Sequence, residues 1–153
     1  MAQKIKTCLW FDGNGQEAAE FYVSVFKDRG DSGITGITPS PSGAALVVAF
    51  RLGGAEFLAL NGGPHFKFNE AVSLSVECRS QEEVDELWEK LSAGGSPGQC
   101  GWLKDRYGLS WQIVPAVLPK LLADPGKAQR VMGVLMGMTK LDIRALQAAA
   151  DAA

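Results

Sequence analysis

Few side chains in this chain are of the types that do chemistry. His65 is the only histidine, and the three cysteines, Cys8, Cys78 and Cys100, are far apart with no C-x-x-C pair. This spacing argues against a disulfide framework or a thiolate zinc site, and it predicts free thiols in a reducing compartment. His65 could act as a general base because an imidazole titrates near neutrality, or it could be a solvent-exposed loop residue after a proline. A nucleophilic cysteine would need a neighbouring base, and the sequence shows none.

One short turn has the superficial pattern of a nucleotide-binding loop. The segment Asp12–Gly15 follows a strand-like run and precedes a helical pattern. Its two glycines are too few for a phosphate-binding loop, and Glu17 at the beginning of the helix would repel phosphate. We therefore interpret the segment as a tight strand-to-helix turn in which Asn14 caps the helix.

The elements that would position these residues come in two copies. The helical pattern from Asn14 to Val25 recurs from Ser80 to Leu91, with every matching position shifted by 66. Both copies begin with a capping-box pattern and continue with apolar residues at i, i+3, i+4 and i+7, which predicts two amphipathic helices. A strand-like run precedes each helix, at Ile5–Phe11 and at Ala71–Cys78. The chain is therefore predicted to contain two copies of one module.

The remaining segments complete each module. Residues 30–43 are rich in Gly, Ser and Pro and predict mostly a loop, with a short edge strand at Ile34–Thr38. Phe66 and Phe68 are unusual in a linker, so we expect them to dock on a neighbouring element. The other predicted elements are a hairpin of Ala44–Leu52 and Ala55–Asn61, a loop at Gly94–Gly98, strands at Cys100–Lys104 and Ser110–Pro115 joined by a type I turn at Asp105–Gly108, and C-terminal helices at Val117–Ala123, Lys127–Met138 and Asp142–Ala152.

Composition excludes several classes of protein. The chain has 153 residues, is 46% hydrophobic and carries a net charge of −2 with a pI near 5.4. These values allow a substantial core and provide no basic surface for nucleic acid. No apolar run approaches the roughly 20 residues that a membrane span needs, and the N-terminus lacks an apolar segment of signal length. We expect a cytoplasmic protein that binds neither nucleic acid nor membrane.

Several runs of residues resemble one protein family. They are Trp10–Asn14, Ala59–Pro64, Phe66–Glu70, Gly101–Asp105 and Trp111–Pro115. Together with the duplicated module, they resemble the vicinal oxygen chelate superfamily, which includes glyoxalase I and bleomycin-resistance proteins. Within it, they resemble the PhnB-like branch, whose members are often labelled 3-demethylubiquinone-9 3-methyltransferase.

The resemblance implies an α+β fold of two tandem βαβββ modules, whose curved mixed sheet surrounds a cavity between the halves. We place the paired modules within residues 1–115, at about 4–62 and 71–115 with a linker at 63–70. A C-terminal helical extension occupies residues 116–153. Relatives of this fold usually pair as homodimers, and the resemblance implies the same here.

Metal-using relatives hold a divalent ion with His and Glu side chains from the first and last strands of each module. The matching positions in this chain hold Ala59, Gln112, Lys6 or Thr7, and Ala71 or Val72. Only Gln112 could ligate, and an amide is a weak, neutral donor, so the expected ligand set cannot be assembled. We predict no metal in the cavity and no cofactor.

Strand alternation from these positions predicts which side chains line the cavity. If Leu9 and Phe11 pack under the first helix, Cys8 and Trp10 point to the other side. With Ala59 and Gln112 facing the cavity, the strand residues between the lining positions, Leu58, Leu60, Trp111 and Ile113, should support the helices. The predicted ligand-binding residues are Cys8, Trp10, Phe57, Asn61, Phe68, Cys100, Trp102, Lys104 and Gln112.

These residue types suit a flat ligand that carries an oxygen or anionic group. The indoles of Trp10 and Trp102 would supply affinity by stacking, while the amides and Lys104 would set orientation. The alternatives are that the tryptophans fill the core and that Lys104 belongs to a solvated turn.

Three classes of function remain open. The first is a PhnB-like protein that binds a small, planar or aromatic organic ligand in a metal-free cavity, with no catalytic residue assigned. The second is an enzyme on a small organic substrate, for which Lys104 is the evident titratable group. The sequence shows no glycine-rich turn that would bind S-adenosylmethionine, so it does not support the methyltransferase label. The third is an interaction protein that uses the apolar stripe of Val131, Val134, Leu135 and Met138.

Overall fold

The computed structural model describes residues 3–152 and divides into two units, Met1–Phe68 and Asn69–Ala153. Each unit contains one open, mixed, four-stranded sheet with helices packed on it. This confirms the predicted α+β fold with a duplicated module and C-terminal helices. The two units are described separately below.

The first unit has the predicted βαβββ order. Its elements are β1 (Thr7–Phe11), α1 (Gly15–Phe26), β2 (Gly33–Pro39), β3 (Ala45–Leu52) and β4 (Ala55–Asn61). The strand order is β1-β4-β3-β2, with β1 parallel to β4 and the other pairs antiparallel. β2 is longer than the predicted edge strand and occupies half of the segment predicted as a loop.

α1 packs on one face of the first sheet through its apolar stripe. Tyr22 is fully buried and its ring lies 6.3 Å from that of Phe50, which stacks in turn on Phe57 at 5.3 Å. Burying one such side chain contributes about 1.5–3 kcal/mol relative to leaving it in water. The core of this unit therefore lies between α1 and one face of its sheet.

The second unit repeats the same order. Its elements are β5 (Ser73–Cys78), α2 (Gln81–Ser92), β6 (Ser96–Pro97), β7 (Trp102–Lys104) and β8 (Ser110–Pro115). The strand order is β5-β8-β7-β6, with β5 parallel to β8. The buried side of α2 packs against the buried residues of β7 and β8, and this core consists of Val84, Leu87, Leu91, Leu103, Trp111 and Ile113.

Three helices follow the second module: α3 (Val117–Ala123), α4 (Pro125–Leu135) and α5 (Ile143–Asp151). They enclose a separate apolar cluster of Leu118, Leu121, Val131, Leu135, Leu141, Leu146 and Ala150. Val131 and Leu135 are therefore used inside the extension, so the hypothesis that their stripe covers a partner is wrong. Within residues 3–152, no helix has the length and apolar character needed to cross a bilayer.

The two repeated helices are capped differently. Ser80 Oγ accepts a hydrogen bond from Glu83 N–H at 3.1 Å, and a Glu83 carboxylate oxygen accepts one from Arg79 N–H at 2.9 Å. The capping box predicted for α2 is therefore confirmed, with its second bond moved by one residue. The box predicted at Asn14 is wrong, because that side chain makes no capping hydrogen bond.

Candidate functional site

The pairing of β1 with β4 defines the two faces of the first sheet. Leu9 is buried and lies in register with Ala59, so both face α1. Trp10 lies in register with Leu60, and therefore shares the opposite face with it. We call this opposite face the open face of the first sheet, and its apolar residues are Cys8, Trp10, Val47, Ala49, Leu58 and Leu60.

Two predicted ligand-binding residues lie on the helix side of this sheet. Phe57 is only 7% exposed and belongs to the aromatic stack under α1. Asn61 accepts a hydrogen bond from Gly15 N–H at 2.8 Å, at the beginning of α1, and donates one to Ala45 O at 3.0 Å. The face predicted for Phe57 and Asn61 is therefore wrong, because the pairing with Leu9 turns Ala59 toward the helix.

The pairing of β1 with β4 also changes the face predicted for the leucines between Phe57 and Asn61. Leu58 and Leu60 were expected to support the helix, but they share the open face with Cys8 and Trp10. Both are partly exposed. The open face of the first sheet therefore carries apolar side chains, which were not predicted for it, at the place where amides were expected.

The linker aromatics dock on the first unit, as expected. Trp10 donates from Nε1 to Gly63 O at 2.9 Å, and Phe66 packs edge-on against its ring at 4.8 Å. A Cβ at Gly62 would lie 2.2 Å from the same indole, so the chain passes directly over it. Phe68 packs edge-on against Phe11 at 5.4 Å. Trp10 therefore anchors the linker, and its outer part remains at the rim of the open face.

A network of linked ion pairs lies at one end of this open face. The Glu56 carboxylate is 13% exposed and contacts Arg51 Nε at 3.1 Å and Lys6 Nζ at 3.5 Å. Arg51 also contacts Asp31 at 3.1 Å. The hydrogen bond from Arg51 is the main reason that the pKa of Glu56 is lowered from its ordinary value. Alternation from Leu58 could have identified Glu56 as a residue of this face.

Cys8 is exposed at the edge of the same face. Partial burial of its thiol raises the pKa of Cys8 above its ordinary value, which favours the thiol over the thiolate. A nucleophilic cysteine requires the opposite shift. His65 is exposed on the linker. Neither residue therefore has the surroundings of an activated catalytic group.

The second sheet also has an open face, opposite α2. Gln112 lies in register with both Trp102 and Ser75, so these three side chains share it. Gln112 Nε2 donates to Ser73 Oγ at 3.0 Å, which holds the amide in place. The residues of this open face are Ser73, Ser75, Glu77, Trp102, Lys104, Ser110, Gln112 and Val114. The alternation predicted for Trp102, Lys104 and Gln112 agrees with this register, while their role in binding stays a prediction.

Lys104 and Ser110 lie side by side on this face. Lys104 forms an ion pair with Glu70, and the hydrogen bond in this pair is the main cause of the lowered pKa of Glu70. Ser110 is 1% exposed, and its Oγ has no hydrogen-bond partner among the described residues. Ser110 was not among the predicted ligand-binding residues, although alternation from Gln112 places it on the same face. A cation and a buried hydroxyl are therefore adjacent here.

Cys100 was predicted to lie in one strand with Trp102 and Lys104, but it lies just before β7. Its backbone has a φ of 58°, and its N–H donates to Met138 O at 2.8 Å. Together with Val114, it packs against the apolar cluster of the C-terminal helices. The extension therefore covers this end of the open face, at Cys100 and Val114.

The residues present do not fit the divalent ion of metal-using relatives. The open-face positions of the first and last strands hold one carboxylate in each sheet, and their residues are Cys8, Trp10, Glu56, Leu58, Leu60, Ser73, Ser75, Glu77, Ser110, Gln112 and Val114. Among residues 3–152, no three His, Cys, Asp or Glu side chains are grouped so that they could hold a metal ion. Because each sheet supplies only one carboxylate at these positions, and Glu56 is already paired with Arg51 and Lys6, the ligands for such an ion are too few and we assign it no chemical step.

Comparisons with known proteins agree with this architecture. The family model described as 3-demethylubiquinone-9 3-methyltransferase matches residues 3–114. The PhnB protein of Bacillus cereus, provisionally described as a 3-demethylubiquinone-9 3-methyltransferase, is 34% identical with a TM-score of 0.68 and covers 74% of this chain and 100% of its own. No curated protein matches the chain.

More distant structures share the fold alone. The fosfomycin resistance protein FosX of Listeria monocytogenes is 16% identical with a TM-score of 0.56, and the match covers 78% of this chain and 96% of that one. A glyoxylase/bleomycin resistance protein/dioxygenase domain from Frankia sp. is 15% identical with a TM-score of 0.54, covering 75% and 92%. The chain therefore belongs to the 3-demethylubiquinone-9 3-methyltransferase family, in the PhnB-like branch of the vicinal oxygen chelate superfamily.

Proposed function

We propose that this protein binds a small, planar or aromatic organic ligand in a metal-free cavity, and that the open face of its second sheet carries the binding groups. The observation that carries the proposal is the pairing of Trp102 with Gln112, which places a partly exposed indole beside an oriented amide. An indole face provides stacking, and an amide provides direction through hydrogen bonds. Affinity and orientation would thus come from neighbouring side chains.

The hydrogen bonds around Gln112 specify the kind of group that it would receive. Its Nε2 is engaged by Ser73, which leaves Oε1 to accept a hydrogen bond from a ligand hydroxyl or N–H. A ligand oxygen or anion that approaches Lys104 would have to share this cation with Glu70. These contacts favour a ligand with both a donor and an oxygen acceptor on a flat frame.

The open face of the first sheet is a second candidate surface for such a ligand. Leu58 and Leu60 are partly exposed, and the charges of Glu56 and Arg51 lie at one end. Each Å² of apolar surface removed from water contributes about 25 cal/mol. A ligand with one apolar and one polar end would match this arrangement.

The test is a calorimetric titration of the protein with a panel of aromatic and quinone-like compounds. For a compound that binds, Trp102→Leu should weaken binding by about tenfold or more, because stacking and apolar contact together supply about 1.4 kcal/mol. Trp88→Leu, on α2, is the matched control and should leave binding unchanged. Equal effects of the two substitutions, or the absence of binding by every compound, would contradict the proposal.

An enzyme on a small organic substrate is the alternative. The observation that favours it is Lys104 beside the buried hydroxyl of Ser110, which has no hydrogen-bond partner within residues 3–152. Turnover that Lys104→Ala abolishes while binding persists would support this alternative. Turnover that survives the substitution would remove Lys104 as its catalytic group.

We also propose that the protein is a cytoplasmic homodimer. The three cysteines, Cys8, Cys78 and Cys100, are free, which suits a reducing compartment. Dimerisation rests on the family resemblance alone. Sedimentation at micromolar concentration should show a dimer, and a monomer throughout that range would overturn this part of the proposal.

A further inference from the structure

We propose that Cys100 and the methionines at the end of α4 form a site for a soft monovalent metal ion of the Cu(I) class. This site lies where the C-terminal extension meets the chain before β7, and it is independent of the ligand proposed for the open faces. It consists of Cys100, Met132, Met136 and Met138.

Sulfur is concentrated in this part of the chain. Three of the four methionines lie within the seven residues from Met132 to Met138. Met132 and Met136 are 42% and 63% exposed, although buried positions of the same helix, such as Leu135, pack into the core. Exposed thioethers contribute little to packing, so their clustering suggests another use.

The distance between two of the sulfurs fits a shared ion. Cys100 Sγ lies 3.9 Å from Met136 Sδ. With metal–sulfur bonds of about 2.3 Å, two sulfur ligands of one ion lie roughly 3.8–4.0 Å apart. These two groups could therefore ligate one ion with little rearrangement.

The backbone holds Cys100 in place for this contact. Its N–H donates to Met138 O, and the N–H of Gly101 donates to Thr139 O, both at 2.8 Å. These bonds join the chain before β7 to the chain after α4 and stabilise the left-handed φ of Cys100. Strained backbone of this kind persists only where its surroundings determine it.

The other two methionines lie close to Met136 along the chain and are the candidates for further ligands. Met136 N–H donates to Met132 O at 3.0 Å, so these residues are one helical turn apart and project from the same side. A Cβ at Gly133 would meet nothing within 4 Å, which leaves room beside them. Met138 packs against the same apolar cluster as Cys100.

The donor set determines the class of ion. Thiolate and thioether ligands select Cu(I), whereas Mg²⁺ and Ca²⁺ require oxygen ligands. The Cys100 thiolate would neutralise the charge of a monovalent ion. Because the thiolate and the ion together carry no net charge, they could remain partly shielded from water. The cluster is therefore expected to discriminate against hard divalent ions such as Mg²⁺ and Ca²⁺.

The experiment is an anaerobic titration of the reduced full-length protein with Cu(I) in competition with bicinchoninate. We expect one ion per chain, and X-ray absorption should show sulfur ligands at about 2.3 Å. Met136→Leu replaces an exposed thioether and should weaken binding by about tenfold or more, at the scale of other changes around a metal. Cys100→Ser should abolish competition with the chelator.

Cys8→Ser is the matched control, because Cys8 is an exposed free thiol outside the cluster. This variant should retain the stoichiometry and affinity of the wild type. Circular dichroism would verify that each variant is folded, and Met136→Leu carries the test if Cys100→Ser does not fold. Failure of the wild type to compete, unchanged binding by Met136→Leu, or loss of binding in Cys8→Ser would overturn the proposal.

Discussion

Asn61 Oδ1 accepts a hydrogen bond from Gly15 N–H at 2.8 Å, so a residue at the end of β4 caps the beginning of α1. The Asn61 amide also donates to Ala45 O, which connects β3 to the same point. A Cβ at Gly15 would lie 2.7 Å from the Asn61 oxygen, and glycine therefore permits this approach. The bond also occupies an N–H that a nucleotide phosphate would need at this turn.

Asn61→Ala should destabilise the protein by about 1–3 kcal/mol, because it leaves Gly15 N–H and Ala45 O without these partners. The free energy of unfolding in urea measures this loss. Asn14→Ala is the control, since the Asn14 side chain makes no capping hydrogen bond and its removal should cost less than about 0.5 kcal/mol. Equal losses in the two variants would show that Asn61 is not the cap.

Much of the fold could be predicted from the sequence because buried helices impose a regular spacing of apolar residues. The bounds predicted for the strand Ser110–Pro115 agree with the structure, and α2 was predicted close to Gln81–Ser92. β2 was predicted only as a short edge strand, Ile34–Thr38, within a loop, because its composition of Gly, Thr and Pro is typical of loops. It is an edge strand, and its ladder with β3 supplies an order that local propensity does not.

The faces predicted for the candidate site agree with the structure in β8 but not in β4. The reason is that the two strands differ in their pattern of apolar residues. In β8, Gln112 lies between the buried residues Trp111 and Ile113, so alternation identifies its face. In β4, apolar residues run continuously from Phe57 to Leu60, and hydrophobicity alone cannot assign their faces. A one-residue error in such a strand exchanges both faces.

Asp105→Asn should destabilise the second unit by about 2 kcal/mol or more. Asp105 is 2% exposed and accepts hydrogen bonds from Trp111 Nε1 at 2.9 Å and from Tyr107 N–H at 2.8 Å. An amide would direct donor hydrogens at donors and leave buried groups unsatisfied. Thermal and urea unfolding would measure the loss, and Asp12→Asn, at an exposed position, should change stability by less than about 0.5 kcal/mol. A small effect at Asp105 would contradict this role.

Glu56→Gln should reduce stability more at pH 7 than at pH 3. The pKa of Glu56 is lowered in the folded protein, mainly by the hydrogen bond from Arg51. A lowered pKa stabilises the folded state above the unfolded value of about 4.3, and this contribution is lost as the pH falls through the folded value. The difference in unfolding free energy between wild type and variant should therefore shrink in acid. Glu89→Gln, on the exposed side of α2, serves as the control, and a difference at Glu56 that stays constant would contradict the prediction.

Ser80→Ala should cost about 1 kcal/mol, because Ser80 Oγ is the acceptor for Glu83 N–H at the beginning of α2. Ser80→Asp should retain most of the stability, since a carboxylate accepts the same bond and is favoured at a helix N-terminus. Hydrogen exchange gives a local measurement: the Glu83 amide should exchange faster in Ser80→Ala than in Ser80→Asp. Equal exchange in both variants would mean that the hydrogen bond donated by Arg79 N–H to the Glu83 carboxylate holds this turn without the serine.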